Sequence, residues 1–196
     1  MGGDAAPGEI VAGAVAAARD LQVTICLVGP TAVVAEELAR VAGASVPANI
    51  SILDAADVIG MDEAPLAALR RKPLASIKVA AEAVVRGEAD ALYSAGHTGA
   101  TLMAAHAAFG MLPGAERPAL AILIPTLTGQ SVLLDTGATM DCRPEHLRSF
   151  GVMGAAFAQI ALQVDAPRVG LLSVGEEGAK GNELVREAHG LLLTTR

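Results

Sequence analysis

Tryptophan is missing from this sequence, tyrosine occurs once and phenylalanine three times. A core of stacked rings is thereby excluded. The 53% of residues that are hydrophobic must pack as Ala, Val, Leu and Ile around 21 glycines, which suits helices lying tight against a sheet. Cysteine is scarce too. Cys26 and Cys142 form no CxxC pair, which speaks against a zinc site and a disulfide framework, and Cys26, inside VTICLVG, reads as a small buried hydrophobe. Apolar runs of the roughly 18 residues needed to span a bilayer are lacking; the greasy segment from Gly151 to Val164 is shorter and carries Gln159. Basic side chains are outnumbered, 14 against 21 acidic ones, and the net charge of −7 disfavours broad electrostatic binding of nucleic acid. The opening MGGDAAPGEI has neither a basic head nor an apolar signal core, so a soluble cytoplasmic protein is expected.

What is present alternates. Apolar, β-rich runs exchange with Ala-rich stretches of helical period, and Gly, Pro, Asp or Asn marks each change, the signature of an α/β chain with a mostly parallel sheet. Helices are expected over Gly8 to Asp20, Val33 to Val41, Pro65 to Lys72, Leu74 to Arg86, Ala100 to Phe109 and Pro144 to Gln163. Strands are expected at Val23 to Val28, Asn49 to Leu53, Ala91 to Ser94 and, buried, at Arg168 to Val174; Ala119 to Ile124 and Ser131 to Asp135 read as a hairpin around PTLTGQ. A last helix opens near Asn182 and reads as still running at Arg196, while the Gly-Gly-Asp turn at the front lacks a preceding strand. The 196 residues thus read as one domain without its first strand and its C-terminal part.

Two junctions could carry chemistry. In Ser94-Ala95-Gly96-His97-Thr98-Gly99 a strand runs through a glycine turn into a helix, an arrangement that presents unpaired N–H groups and a positive dipole end to an anion. Gly96 and Gly99 permit close approach, Ser94 and Thr98 offer hydroxyls, and His97 offers an imidazole for an oxyanion. The plainer reading is a glycine-permitted turn with Thr98 as N-cap. The second junction is Gly175-Glu176-Glu177-Gly178-Ala179-Lys180-Gly181-Asn182, where Lys180 is a cation suited to phosphate and Asn182 either caps a helix or hydrogen-bonds a carbonyl oxygen. In a parallel sheet the two turns would open on one carboxyl edge and meet one anion. Neither fits a Walker A or a G-x-G-x-x-G pattern, so neither a nucleotide nor a dinucleotide cofactor is expected.

A competing chemistry sits at Asp141-Cys142-Arg143-Pro144-Glu145-His146, where a thiol four residues from an imidazole could form an acyl thioester. The plainer reading is a helix start, with Pro144 in the first turn and Asp141 as cap. Arg70, Arg71, Lys72 and Lys78 form a basic stretch with no acid between them. That stretch is either a solvated helix face or a docking surface for an acidic partner.

Six ordered motifs carry a resemblance over nearly the whole length: MGGDAAP, MDEAPLAALRRK, SAGHTGA, RPAL, LLDTGATMDCRPEHL and VGLLSVGEEGAKGNELVREA. The chain resembles the PlsX-type phosphate acyltransferases. The resemblance implies a three-layer α/β/α fold related to phosphotransacetylases and to the isocitrate and isopropylmalate dehydrogenase group. It implies a homodimer without a metal or cofactor that passes a fatty acyl group from acyl carrier protein to inorganic phosphate, with peripheral membrane contact through a further C-terminal part. Gly2, Gly3, Asp4 and Asp135 then belong to turns at the substrate, and Arg70, Arg71, Lys72 and Lys78 to carrier docking. His97 stands where the family usually has Asn, and Ala5 where it often has His. Other functions weighed are a coenzyme A-dependent phosphotransacetylase and a non-catalytic carrier-protein binder.

Overall fold

The computed structural model of the chain describes residues 1–43, 45–175 and 181–195. They fall into two compact units, Met1–Gly110 and Met111–Arg196.

In the first unit α1 (Gly8–Asp20) buries Val11, Val15 and Ala18, and α2 (Thr31–Ala42) buries Val34, Leu38 and Ala42. This helical spacing puts each set on one face. Against these helices β1 (Ile25–Gly29) and β2 (Ile50–Asp54) pair in parallel, from Ile25 with Ile50 to Gly29 with Asp54, and α2 supplies the crossover that parallel strands require. Leu27 joins Val11, Val15, Val34 and Leu38 in the core; each such Val or Leu contributes roughly 1.5–3 kcal/mol by its burial. Side chains alternate across a strand, so the neighbour of Leu27 faces the other way. That neighbour is Cys26, and it is exposed rather than buried as the sequence suggests.

A second cluster joins α3 (Pro65–Arg71), α4 (Ser76–Val85) and α5 (Thr98–Phe109) through Ile59, Ala68, Ala75 and Ala100. Alanine at each contact lets the backbones approach closely. Gly87, at φ 72°, follows the C-cap of α4 and takes the left-handed conformation that ends it. No strand forms at Ala91–Ser94, contrary to expectation. A short run becomes a strand only by pairing, and among the described residues β1 and β2 pair only with each other. Residues 91–94 instead make an open, mostly exposed approach to α5.

In the second unit β3 (Ile122–Thr126) and β4 (Gly129–Leu133) form an antiparallel hairpin. The pairing runs deeper into PTLTGQ than expected: Pro125 pairs with Gln130, and the turn shrinks to Leu127 and Thr128. Helix α6 (Pro144–Leu162) buries His146, Phe150 and Ala158, and α7 (Glu183–Leu193) buries Ala188. Gly151 permits the contact between these helices, because a Cβ there would come 2.9 Å from Leu192 Cδ2. Two further expectations fail in this unit. Arg168–Val174 is not a strand; among the described residues no strand pairs with it, and Leu172 is 85% and Val174 88% exposed. Helix α7 stops at Leu193 with Thr194 as its C-cap. The chain is α/β as expected, but among the described residues its sheets are one parallel and one antiparallel pair, not a mostly parallel sheet. No helix of the described residues is long and apolar enough to cross a membrane.

Candidate functional site

The SAGHTGA turn is built against the MGGD segment, main chain on main chain. A Cβ on Gly2 would stand 3.1 Å from Gly96 Cα, and one on Gly3, already at φ 102°, would stand 3.1 Å from the Ala95 carbonyl oxygen. The buried Ser76 hydroxyl ties this layer down by donating to the Met1 carbonyl at 3.1 Å. Gly2, Ser76, Ser94, Gly96, His97 and Thr101 line a small cleft here. Asp4 is exposed beside its turn.

Helix α5 begins two residues earlier than expected, so His97, not Thr98, is its N-cap, and the His97 side chain makes no capping bond. The N–H groups of Thr98, Gly99 and Ala100 have no acceptor among the described residues. At two other helix starts a side chain takes one of the first-turn donors: Asp54 Oδ1 accepts from Thr31 N–H at the start of α2, and Asn182 Oδ1 accepts from Val185 N–H at 3.0 Å on α7. The open turn of α5 therefore combines unpaired donors with the positive end of a dipole, worth about 0.3–1 kcal/mol to an anion when exposed. Ser94 Oγ accepts from Gly96 N–H at 3.2 Å, so the Gly96 amide is engaged while the Ser94 hydroxyl keeps its own proton to donate.

His97 Nε2 lies 3.1 Å from the Glu63 carbonyl oxygen. A carbonyl only accepts, so Nε2 carries a proton, and in the neutral form of the ring Nδ1 is the acceptor. That form has no second N–H for an oxyanion. Pro65 closes the other side: a Cβ on Gly99 would come 3.0 Å from Pro65 Cγ.

The basic stretch is not uniformly open. Lys72 Nζ donates to the Val58 carbonyl at 2.6 Å and to the Glu63 carboxylate, Arg71 approaches Glu63 at 3.6 Å, and Lys78 approaches Glu82 at 3.9 Å. Arg70 has no ion partner among the described residues. The Lys72 hydrogen bond, and then the Gly60 N–H, hold the Glu63 carboxyl below the usual carboxylate range. Sequence reasoning overlooks Glu63 because the acid lies on the near side of α3 and folds back onto cations that have no acid between them.

In the second unit Gly181, at φ 93°, leads into α7, and a Cβ there would come 3.0 Å from Ser173 Oγ. Asn182 is a helix cap, and its side-chain NH2 has no acceptor among the described residues. Lys180 and Gly178 lie outside the described residues. The Asp135 carboxylate accepts from the N–H groups of Leu120, Ala138 and Thr139 at 2.8, 3.2 and 2.7 Å and so organises its own loop. The thiol of Cys142 lies 3.6 Å from the Thr139 carbonyl, and burial, with the Asp135 charge second, pushes its pKa up. His146 is 2% exposed, and its Nδ1 accepts from Arg143 N–H at 3.2 Å. A neutral thiol beside an occupied imidazole is poorly placed for nucleophilic work. The cap of α6 is Arg143, not Asp141.

Fold and turn together define an α/β protein with an anion-receptive helix start lined by glycine. Residues 1–196 match the family described as "Fatty acid synthesis protein", and the chain belongs to that family. It is 50% identical over 198 residues to a phosphate acyltransferase of Thermosynechococcus vestitus, covering 100% of this chain and 57% of the relative. It is 48% identical over 193 residues to one of Heliobacterium modesticaldum, covering 98% and 57%, and 47% identical over 194 residues to one of Nostoc sp., covering 98% and 56%. The chain therefore spans little more than half the length of these relatives.

Proposed function

We propose that this chain carries the phosphate site of an acyltransferase that moves a fatty acyl group from acyl carrier protein to inorganic phosphate, yielding acyl phosphate for phospholipid synthesis. The observation that carries the reading is the open first turn of α5: three N–H groups without acceptors among the described residues, at a cleft that the Ser94 side chain also lines. That the relatives are phosphate acyltransferases supports it.

Phosphate is already an anionic nucleophile and a thiol is a good leaving group, so positioning carries most of the reaction. A phosphate oxygen bonds to the thioester carbonyl carbon, the C–S bond breaks, and the carrier's thiolate departs with the electron pair. Donors aimed at the tetrahedral oxyanion supply the rest; losing one such donor typically costs about 10²–10³ in rate. In this reading the α5 N–H groups and Ser94 hold phosphate. Carrier docking at the Arg70 face, a cytoplasmic location and a homodimer belong to the same proposal and rest on the family resemblance.

The test supplies long-chain acyl carrier protein and inorganic phosphate to this chain, and to a chain of its relatives' full length, and measures acyl phosphate. Phosphate-dependent product is expected. Equal turnover with acyl coenzyme A and no need of carrier would transfer the assignment to a phosphotransacetylase. Carrier binding without turnover in both chains would leave a binding protein.

A further inference from the structure

The carbonyl that accepts from His97 belongs to a residue, Glu63, that is itself held at several points. Glu63 N–H donates to the Gly60 carbonyl at 3.3 Å, and the Glu63 carboxylate accepts from Gly60 N–H at 2.8 Å and from Lys72. Lys72 is fixed in turn by the Val58 carbonyl at 2.6 Å. Two residues on, Pro65 packs over Gly99 at the start of α5. The Glu63 carbonyl is thereby a rigid acceptor pointed at one nitrogen of one imidazole.

We propose that Glu63 is a positioning residue: anchored by Lys72, it holds His97 as the Nε2–H tautomer and leaves Nδ1 as the ring's acceptor. The inference rests on the reading that the α5 turn is the phosphate site, because only there does the ring's free nitrogen matter to a ligand. An acceptor at Nδ1 suits the proton-bearing forms of phosphate, whose P–OH can donate to it, and does not suit a bare oxyanion. The same linkage joins the basic stretch to the site, since Lys72 is part of one and steadies the other.

The tautomer is read directly from the imidazole ¹⁵N shifts in the intact chain, with the His97 signals assigned by their loss in His97→Gln. Wild type is expected to show Nε2 protonated and Nδ1 bare. Glu63→Ala and Lys72→Met keep the accepting main-chain carbonyl but loosen its mount, so they should lower the Nε2–H to Nδ1–H ratio by at most about threefold to tenfold, the weight of one ordinary hydrogen bond. Glu63→Gln should do less, because its amide oxygen can still accept from Gly60. Retained dispersion of the α1, α2 and α4 amide signals, which belong to the same unit as Glu63 and Lys72, reports that the variants are folded. Lys72→Met retains the Gly60 bond and so decides the matter if Glu63→Ala does not fold. A wild-type ring protonated at Nδ1, or a ratio indifferent to Lys72→Met and Glu63→Gln alike, overturns the proposal. Inorganic phosphate titrated into the same sample separates the two readings. Shifts at the Thr98, Gly99 and Ala100 amides support the phosphate site. Their absence, with the tautomer as expected, counts against that site while upholding the role of Glu63.

Discussion

Gly2 and Gly96 cross main chain against main chain: a Cβ on either would lie 3.1 Å from the other's Cα. The neighbour that would have to yield is backbone, which yields little. Gly2→Ala and Gly96→Ala are therefore expected to destabilise the first unit by about 1–3 kcal/mol, the usual cost of overpacking. Gly13→Ala, where a Cβ would meet nothing within 4 Å, should be neutral or stabilising. Urea midpoints for the three variants check this. Equal midpoints would mean that the two segments are not in contact in solution.

Asp135 offers a second test, because its carboxylate gathers three backbone N–H groups around one loop. Asp135→Ala leaves these donors without an acceptor and should cost about 1.5–3 kcal/mol, the range for hydrogen bonds to a charged group. Asp135→Asn retains one acceptor oxygen and should cost less. A substrate-contacting Asp135 would behave differently, losing activity in both variants with little change in the urea midpoint.

These two sites mark what could be read in the sequence. The glycines and Asp135 stand out as turn residues, and helix periodicity places α1 to α6 within a few residues of their observed ends, since amphipathic spacing is a local property. Strands are another matter. VTICLVG and NISIL find each other, whereas Ala91–Ser94 and Arg168–Val174 are equally apolar and stay unpaired, because pairing depends on a distant neighbour that local composition does not reveal. Glu63 was illegible for the same reason. Its cations, Arg71 and Lys72, are close in space but lie a helix away in sequence.

Acid should loosen the first unit through two identified carboxyls. Glu63 is held below its ordinary pKa first by Lys72 and then by Gly60 N–H, and Asp54 first by the Thr31 hydroxyl and then by Thr31 N–H. A carboxyl with a lowered folded pKa contributes stability above its unfolded value, near about 4, and loses it as pH falls through the folded value. The Tm of wild type should therefore fall between about pH 5 and pH 3. Glu63→Gln and Asp54→Asn should each lower Tm at neutral pH and flatten that slope. Parallel Tm profiles for wild type and both variants would remove these groups from the linkage.

Thiol chemistry separates the two cysteines. Cys26 is exposed, while the thiol of Cys142 is kept neutral by burial and the Asp135 charge. At neutral pH Cys26 should be alkylated several times faster than Cys142 under native conditions, with the difference vanishing in denaturant. Cys142→Ser should keep most acyl transfer, because the proposed phosphate attack needs no thiolate. An inactive but folded Cys142→Ser would revive a covalent acyl thioester.

The basic stretch divides by what already holds each cation. Lys72 and Arg71 lean on Glu63, whereas Arg70 has no ion partner among the described residues, so Arg70 has the most charge to offer an incoming acidic carrier. A peripheral charge acts mainly on encounter, in a salt-dependent way. Arg70→Glu should therefore raise KM for acyl carrier protein severalfold at low ionic strength, leave kcat nearly unchanged, and lose its effect as salt shortens the Debye length from about 30 Å at 0.01 M to about 8 Å at 0.15 M. Lys72→Met disturbs the mount of His97 instead, so its effect should fall on kcat and persist in salt. Steady-state kinetics across that salt range with both variants distinguishes a docking charge from an anchoring one. If Arg70→Glu proved salt-independent, the carrier would have to dock on some other face.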